Sequence, residues 1–140
     1  SVVGSHPSLE VITASVNDVP LRRFTALRAG DVLFIDSSHC VQWGSDVAYL
    51  LTAVMPRLTA GVLVHFHDIF YPFPYPNGWR DRGYNESIVV ASLLANQGSR
   101  PRYRVLAFNS FIGATCPQVM HPSFLGNTGG SLWLAVEDAG

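Results

Sequence analysis

The stretch Asp31-Val32-Leu33-Phe34-Ile35-Asp36-Ser37-Ser38-His39 decides how this chain folds. An uninterrupted apolar run, Val32 to Ile35, follows the turn Ala29-Gly30-Asp31 and stops abruptly at polar residues, as a buried parallel strand does. The pattern returns at Val62-Leu63-Val64-His65-Phe66, introduced by Gly61 and closed by His67 and Asp68. Between the runs Ser45 can cap a helix with Asp46 in its first turn. Val47, Leu50, Leu51, Val54 and Leu58 give that helix an apolar stripe, and Pro56 ends or kinks it. Strand, helix and strand in this order make a right-handed crossover, which sets the two polar strand ends side by side.

Upstream, the β-branched run Leu9–Ala14 predicts a strand, and Leu21, Phe24 and Leu27, with Pro20 near the start, predict a helix. Downstream, the proline and aromatic stretch from Tyr71 to Trp79 is a loop, followed by a helix from about Asn85 to Asn96 that stops at Gly98. Tyr103–Ala107 and Leu132–Val136 are the last strands. The glycine- and proline-bearing stretch between them shows no clear helix, so one antiparallel strand is expected at the end. Together these elements predict an α/β fold with a mainly parallel sheet, in a single domain spanning residues 1–140.

Composition narrows the function. All 9 basic residues are arginine, so Schiff-base chemistry and a phosphate-loop lysine are excluded. The formal net charge of -1, without blocks of like charge, gives no pull toward nucleic acid. Cys40 and Cys116 lie far apart and make no CxxC pair, which argues against a zinc knuckle or a disulfide framework and for a reducing, cytoplasmic compartment. No run approaches the roughly 20 apolar residues of a membrane span, and no signal-peptide pattern opens the sequence. The expected partner is a small molecule rather than nucleic acid or membrane.

In open parallel sheets ligands bind beyond the carboxyl ends of the strands. Asp36 to His39 and His67-Asp68 occupy two such ends. One cluster alone reads as a strand terminus with Ser or Asp capping a turn; two on neighbouring strands form a candidate site. Alternation puts His65 and His67 on one side of their strand, and His67 is the functional candidate while His65 reads as a core histidine. For Cys40, Tyr71, Phe73, Tyr75 and Trp79 the expectation is packing of the loop, with a share in lining a pocket.

The ordered set Asp31 to His39, Ser45-Asp46, Pro56 to Phe70, Tyr75-Pro76, Trp79 and Tyr84-Asn85-Glu86 resembles the class I S-adenosylmethionine-dependent methyltransferases acting on small molecules or glycans, over about Leu9 to Ala107. The resemblance implies a Rossmann-like sheet in which Val32–Ile35 is the fourth strand, Val62–Phe66 the fifth, and the last two runs the sixth and an antiparallel seventh. It implies O-methyl transfer from S-adenosylmethionine to a small molecule or sugar. It places Asp36, Ser37 and Asp18 on the cofactor side, with Asp18 or Asn17 against the adenine. By the same resemblance a divalent metal ion would lie between Asp36, His67 and Asp68. His67 stands where an acid is more usual, which shifts the preference from magnesium toward zinc, manganese or iron. His39, three residues past Asp36, is the candidate base together with His67, since an imidazole titrates near roughly 6.5.

The family's glycine-rich turn is missing; Gly4 is isolated, and Leu9–Ala14 corresponds to the third strand, so the first two strands of the full sheet are lacking. The chain is therefore expected to be a C-terminal part whose sheet is completed by an N-terminal segment or by another copy in a homo-oligomer. Two alternatives stand beside the transferase: a non-catalytic methyltransferase-like structural or binding module, and a metal-dependent hydrolase built on the same Asp and His residues.

Overall fold

The computed structural model describes residues 7–124 and 126–138; Gly4 lies outside them. Helix α1 (Leu21–Thr25) precedes strand β1 (Val32–Ile35), and helix α2 (Asp46–Tyr49) continues through a wider π turn, Leu50–Val54, and a tight 3-10 turn, Met55–Arg57. Pro56, which has no amide hydrogen to give, sits where the helical bonding changes and ends. Strand β2 (Leu63–His67), helix α3 (Glu86–Ala95), strand β3 (Tyr103–Phe108), helix α4 (Asn109–Thr115) and strand β4 (Ser131–Val136) follow.

The strands form a sheet of order β1-β2-β4-β3. β1 and β2 pair in parallel, Phe34 opposite His65, while β4 runs antiparallel between β2 and β3. Three strands thus point one way and the last opposes them, as expected from the sequence. One face carries Ile35, Val64, Phe66, Leu132 and Leu134, all buried against Val47, Leu51, Val54, Met55 and Leu58 of the α2 segment and Val90 of α3. The other face is open: Val32 and Phe34 stay 47% and 54% exposed, and Phe34, His65 and Trp133 form a row of rings across the strands. Among the described residues β1 has a strand on one side only. No helix among them is long and apolar enough to cross a membrane.

Two expectations fail. Leu9–Ala14 is not a strand; it is irregular and exposed, because β1's free edge has nothing of it paired there and an isolated apolar run gains no ladder bonds. The connection between β3 and β4 does contain a helix, Asn109–Thr115, hidden in the sequence by Gly113 and by the absence of any capping side chain.

Candidate functional site

The loop leaving β1 is tied down at several points. Ser38 donates to Asp46 through its amide (2.7 Å) and its hydroxyl (2.5 Å). The His39 carbonyl accepts from the amides of Asn85 and Glu86 at the start of α3 (2.9 and 3.1 Å). The Asn85 side chain then bonds the Val41 amide (2.5 Å) and carbonyl (3.3 Å). Held this way, His39 sits at φ 58, and on the neighbouring strand end Asp68 sits at φ 61. Left-handed backbone at two non-glycine residues is uncommon, and its pairing at one place marks strain concentrated where the strand ends meet.

Burial works against the Asp46 carboxylate, but its bonds from the Ser38 hydroxyl and amide and the Val47 amide outweigh it and hold the group below the ordinary carboxylate range. A depressed folded-state value adds stability that is present above the unfolded value and lost as pH falls through the folded one. Asp46→Asn is therefore expected to cost about 1 kcal/mol near neutrality, discounted for partial exposure. Urea titrations of both proteins should converge as the pH is lowered into the acid range; a constant gap would refute the assignment.

The strand ends converge. His39 Nε2 lies 3.9 Å from Asp36 Oδ1 and 3.7 Å from Asp68 Oδ2, and His67 Nδ1 lies 3.7 and 3.3 Å from the same two oxygens. Asp36 and His67 are about half exposed, whereas the Asp68 side chain is 20% and that of His39 7% exposed. The structure thus brings together Asp36, His39, His67 and Asp68. As they stand, no three His, Cys, Asp or Glu groups among the described residues are set around a point as ligands of an ion.

Behind His39 lies a residue to which the sequence reading gave no role. Glu86, 1% exposed, takes His39 Nδ1 at 2.8 Å and the Ser37 hydroxyl at 2.9 Å on its Oε2. Burial pushes its carboxyl above the ordinary range, with the bonds from His39 and Ser37 opposing. Ser37 in turn accepts from the His39 amide at 3.0 Å, so this hydroxyl is engaged inward. In the sequence Glu86 closes the Tyr84-Asn85-Glu86 part of the resemblance without a role of its own, and as an acid in the first turn of a helix it reads as dipole complement.

Tyr75 and Tyr84 place their rings 6.2 and 5.0 Å from the His39 ring, and Trp79 and Phe70 complete an aromatic cluster. Arg82 lies over both Trp79 and Tyr84. The Tyr75 hydroxyl is buried without a well-formed partner; burial first, then the Glu86 charge, push it up to about 12 against a weak pull from Ser87. On the outer side of these rings Tyr75, Trp79, Arg80, Tyr84 and Ile88 line a cleft of about 250 Å³. The loop aromatics pack the loop down, as the sequence suggested. Cys40 Sγ donates to the Gly83 carbonyl at 3.7 Å.

His65 is structural. Its ring stacks on Trp133 at 4.3 Å and bonds Ser131 Oγ at 2.7 Å, and burial, then the neighbouring His67, push it below the ordinary imidazole value. Asp18 is exposed on the 3-10 turn Val16–Asp18 and makes no polar contact with the cluster. Its neighbour Asn17 donates to the Gly44 carbonyl at 2.7 Å, leaving Oδ1 buried and unpartnered. Asn17, Trp43, Ser45 and Tyr49 line a groove of about 470 Å³ in which Trp43 is fully exposed.

A family model described as a methyltransferase domain matches residues 3–69, ending one residue past Asp68. No curated protein and no solved structure matches the chain.

Proposed function

We propose, from the match of residues 3–69 to the methyltransferase domain model, that this chain carries the acceptor side of an S-adenosylmethionine-dependent O-methyl transfer to a small molecule or sugar. The observation that carries the reading is the convergence of two imidazoles and two carboxylates, from His39, His67, Asp36 and Asp68, at the ends of parallel strands. When bound, S-adenosylmethionine supplies an electrophilic methyl group. His39 Nε2 takes the proton of the acceptor hydroxyl; Asp68 stabilises the imidazolium that results, and the aromatic wall of Tyr75 and Tyr84 keeps water from the ring.

The residues present fit one end of the cofactor. Asn17 Oδ1 is a buried acceptor in search of a donor, beside the exposed Trp43 ring, as an adenine amino group and base face require. Asp36, half exposed, is free to turn toward either cofactor or acceptor, while Ser37 contributes through the loop rather than its engaged hydroxyl. The glycine-rich turn has no counterpart in the described residues. The order β1-β2-β4-β3 supports reading these as the fourth, fifth, seventh and sixth strands that the resemblance implies. We therefore assign β1's free edge to the further strands that bring that turn, from a preceding segment or another copy of the chain.

The Asp36, His67 and Asp68 donors also suit a divalent ion. His67 Nδ1 stands 3.7 Å from Asp36 Oδ1 and 3.3 Å from Asp68 Oδ2, near the roughly 3.3–3.6 Å between ligands that lie about 2.0–2.2 Å from a tetrahedral ion. Such an ion would make the acceptor hydroxyl more acidic. Mixed imidazole and carboxylate donors favour zinc, manganese or iron over magnesium.

Calorimetric titration with S-adenosylmethionine tests the reading, with heat of binding and a raised unfolding temperature expected. Absence of both would remove it for this chain. Added zinc or manganese is expected to raise the unfolding temperature and to lose that effect in Asp68→Asn; an unchanged temperature in the parent protein would remove the metal.

A further inference from the structure

We propose that Glu86 is a positioning residue for His39: its buried carboxyl fixes the ring with Nδ1–H turned inward and the Nε2 lone pair facing the gap between Asp36 and Asp68. What His39 then does rests on the methyl-transfer reading, but its orientation stands on the geometry alone.

The bonds form a closed set. The His39 amide donates to Ser37 Oγ at 3.0 Å, which frees the Ser37 hydroxyl hydrogen for Glu86 Oε2 at 2.9 Å. That oxygen also takes His39 Nδ1 at 2.8 Å. An oxygen already accepting from a hydroxyl is an acceptor for the ring nitrogen as well, so Nδ1 carries the proton and Nε2 is left bare. Among the described residues Nε2 has no hydrogen-bond donor, and carboxylate oxygens of Asp68 and Asp36 stand 3.7 and 3.9 Å away. At those lengths neither carboxylate is a hydrogen-bond partner of Nε2, so its lone pair is left for the single hydrogen of an acceptor hydroxyl. A carboxyl holding the far nitrogen of a working imidazole is a recurring physical solution, because it selects one tautomer and one ring rotation.

Packing does not account for Glu86. Its Oε1 is buried without a partner, and such an atom costs stability where an amide of the same shape costs less. Burial raises its folded-state value above the unfolded one, so its contribution is greatest at acid pH and falls as pH rises through the folded value. At neutrality the acid is a stability cost, retained in the one place where it touches His39.

Nitrogen-detected NMR of the imidazoles in the intact chain, at about pH 9 where an ordinary imidazole is neutral, reads the tautomer directly. The parent protein is expected to show His39 as a single Nδ1–H form. In Glu86→Gln the Nε2–H form should rise from undetected to a comparable population, with an unfolding temperature equal to or above the parent's. Ser37→Ala, which leaves the carboxyl, should keep the Nδ1–H form. An Nε2–H ring in the parent, or an unchanged Nδ1–H ring in Glu86→Gln, would overturn the proposal; the first needs no variant to fold. A locked Nδ1–H ring in a protein that fails to bind S-adenosylmethionine supports the orientation while removing the methyl-transfer reading.

Discussion

Gly130→Ala is expected to lower stability by about 1–3 kcal/mol and to disturb the site at the same time. A β-carbon at this buried position would lie 2.7 Å from the Asp68 α-carbon and 2.7 Å from Phe70 Cζ. The first is backbone and has nowhere to go without moving the strand end that carries Asp68 and its left-handed turn. Gly126, in the same connection, has nothing within 4 Å of the corresponding point. Gly126→Ala should therefore change stability by less than about 0.5 kcal/mol. Urea unfolding of both variants checks the pair, and equal midpoints would show that the approach of Gly130 to Asp68 does not constrain the fold.

The larger loss is expected from Phe66→Ala. Phe66 is 0% exposed, stands opposite Ile35 on β1 and Leu132 on β4, and directly precedes His67 and Asp68. Removing a buried ring costs about 3–5 kcal/mol, the lost transfer energy plus the cavity left behind. Against a total of about 5–15 kcal/mol for a native domain, this brings the chain near the edge of folding. Denaturant titration by circular dichroism measures it. A loss below about 1 kcal/mol would mean that β2 does not run through the core.

The four strands were legible because each is a short apolar run between polar or glycine stops, and β1 and β2 appear within one residue of their expected bounds. Leu9–Ala14 carries the same local signal and is no strand, since what makes a strand is a partner ladder and the composition of one segment does not report its partner. Helix α4 was missed because Asn109–Thr115 combines Gly113 with aromatic and β-branched residues and has no cap. At the site, Asp36, His39, His67 and Asp68 were readable as polar residues following buried strands. Glu86 was not, because its meaning lies in a bond to a residue 47 positions away. Asn85 shares that fate: its side chain braces Val41 instead of capping its own helix.

The uncovered margin of the sheet bears on how this chain behaves at high concentration. Among the described residues no strand pairs with the outer edge of β1, whose outward residues, Val32 and Phe34, are apolar, a template for edge-to-edge association. The sequence has no lysine with which to blunt it. Two acids do the gatekeeping instead: Asp31 and Asp36 bracket the four-residue strand, so that copies stacking in register bring like charges together at both ends. Removing their charge by Asp31→Asn together with Asp36→Asn would remove that protection. Light scattering at high concentration should therefore show the double variant associating where the parent chain stays dispersed.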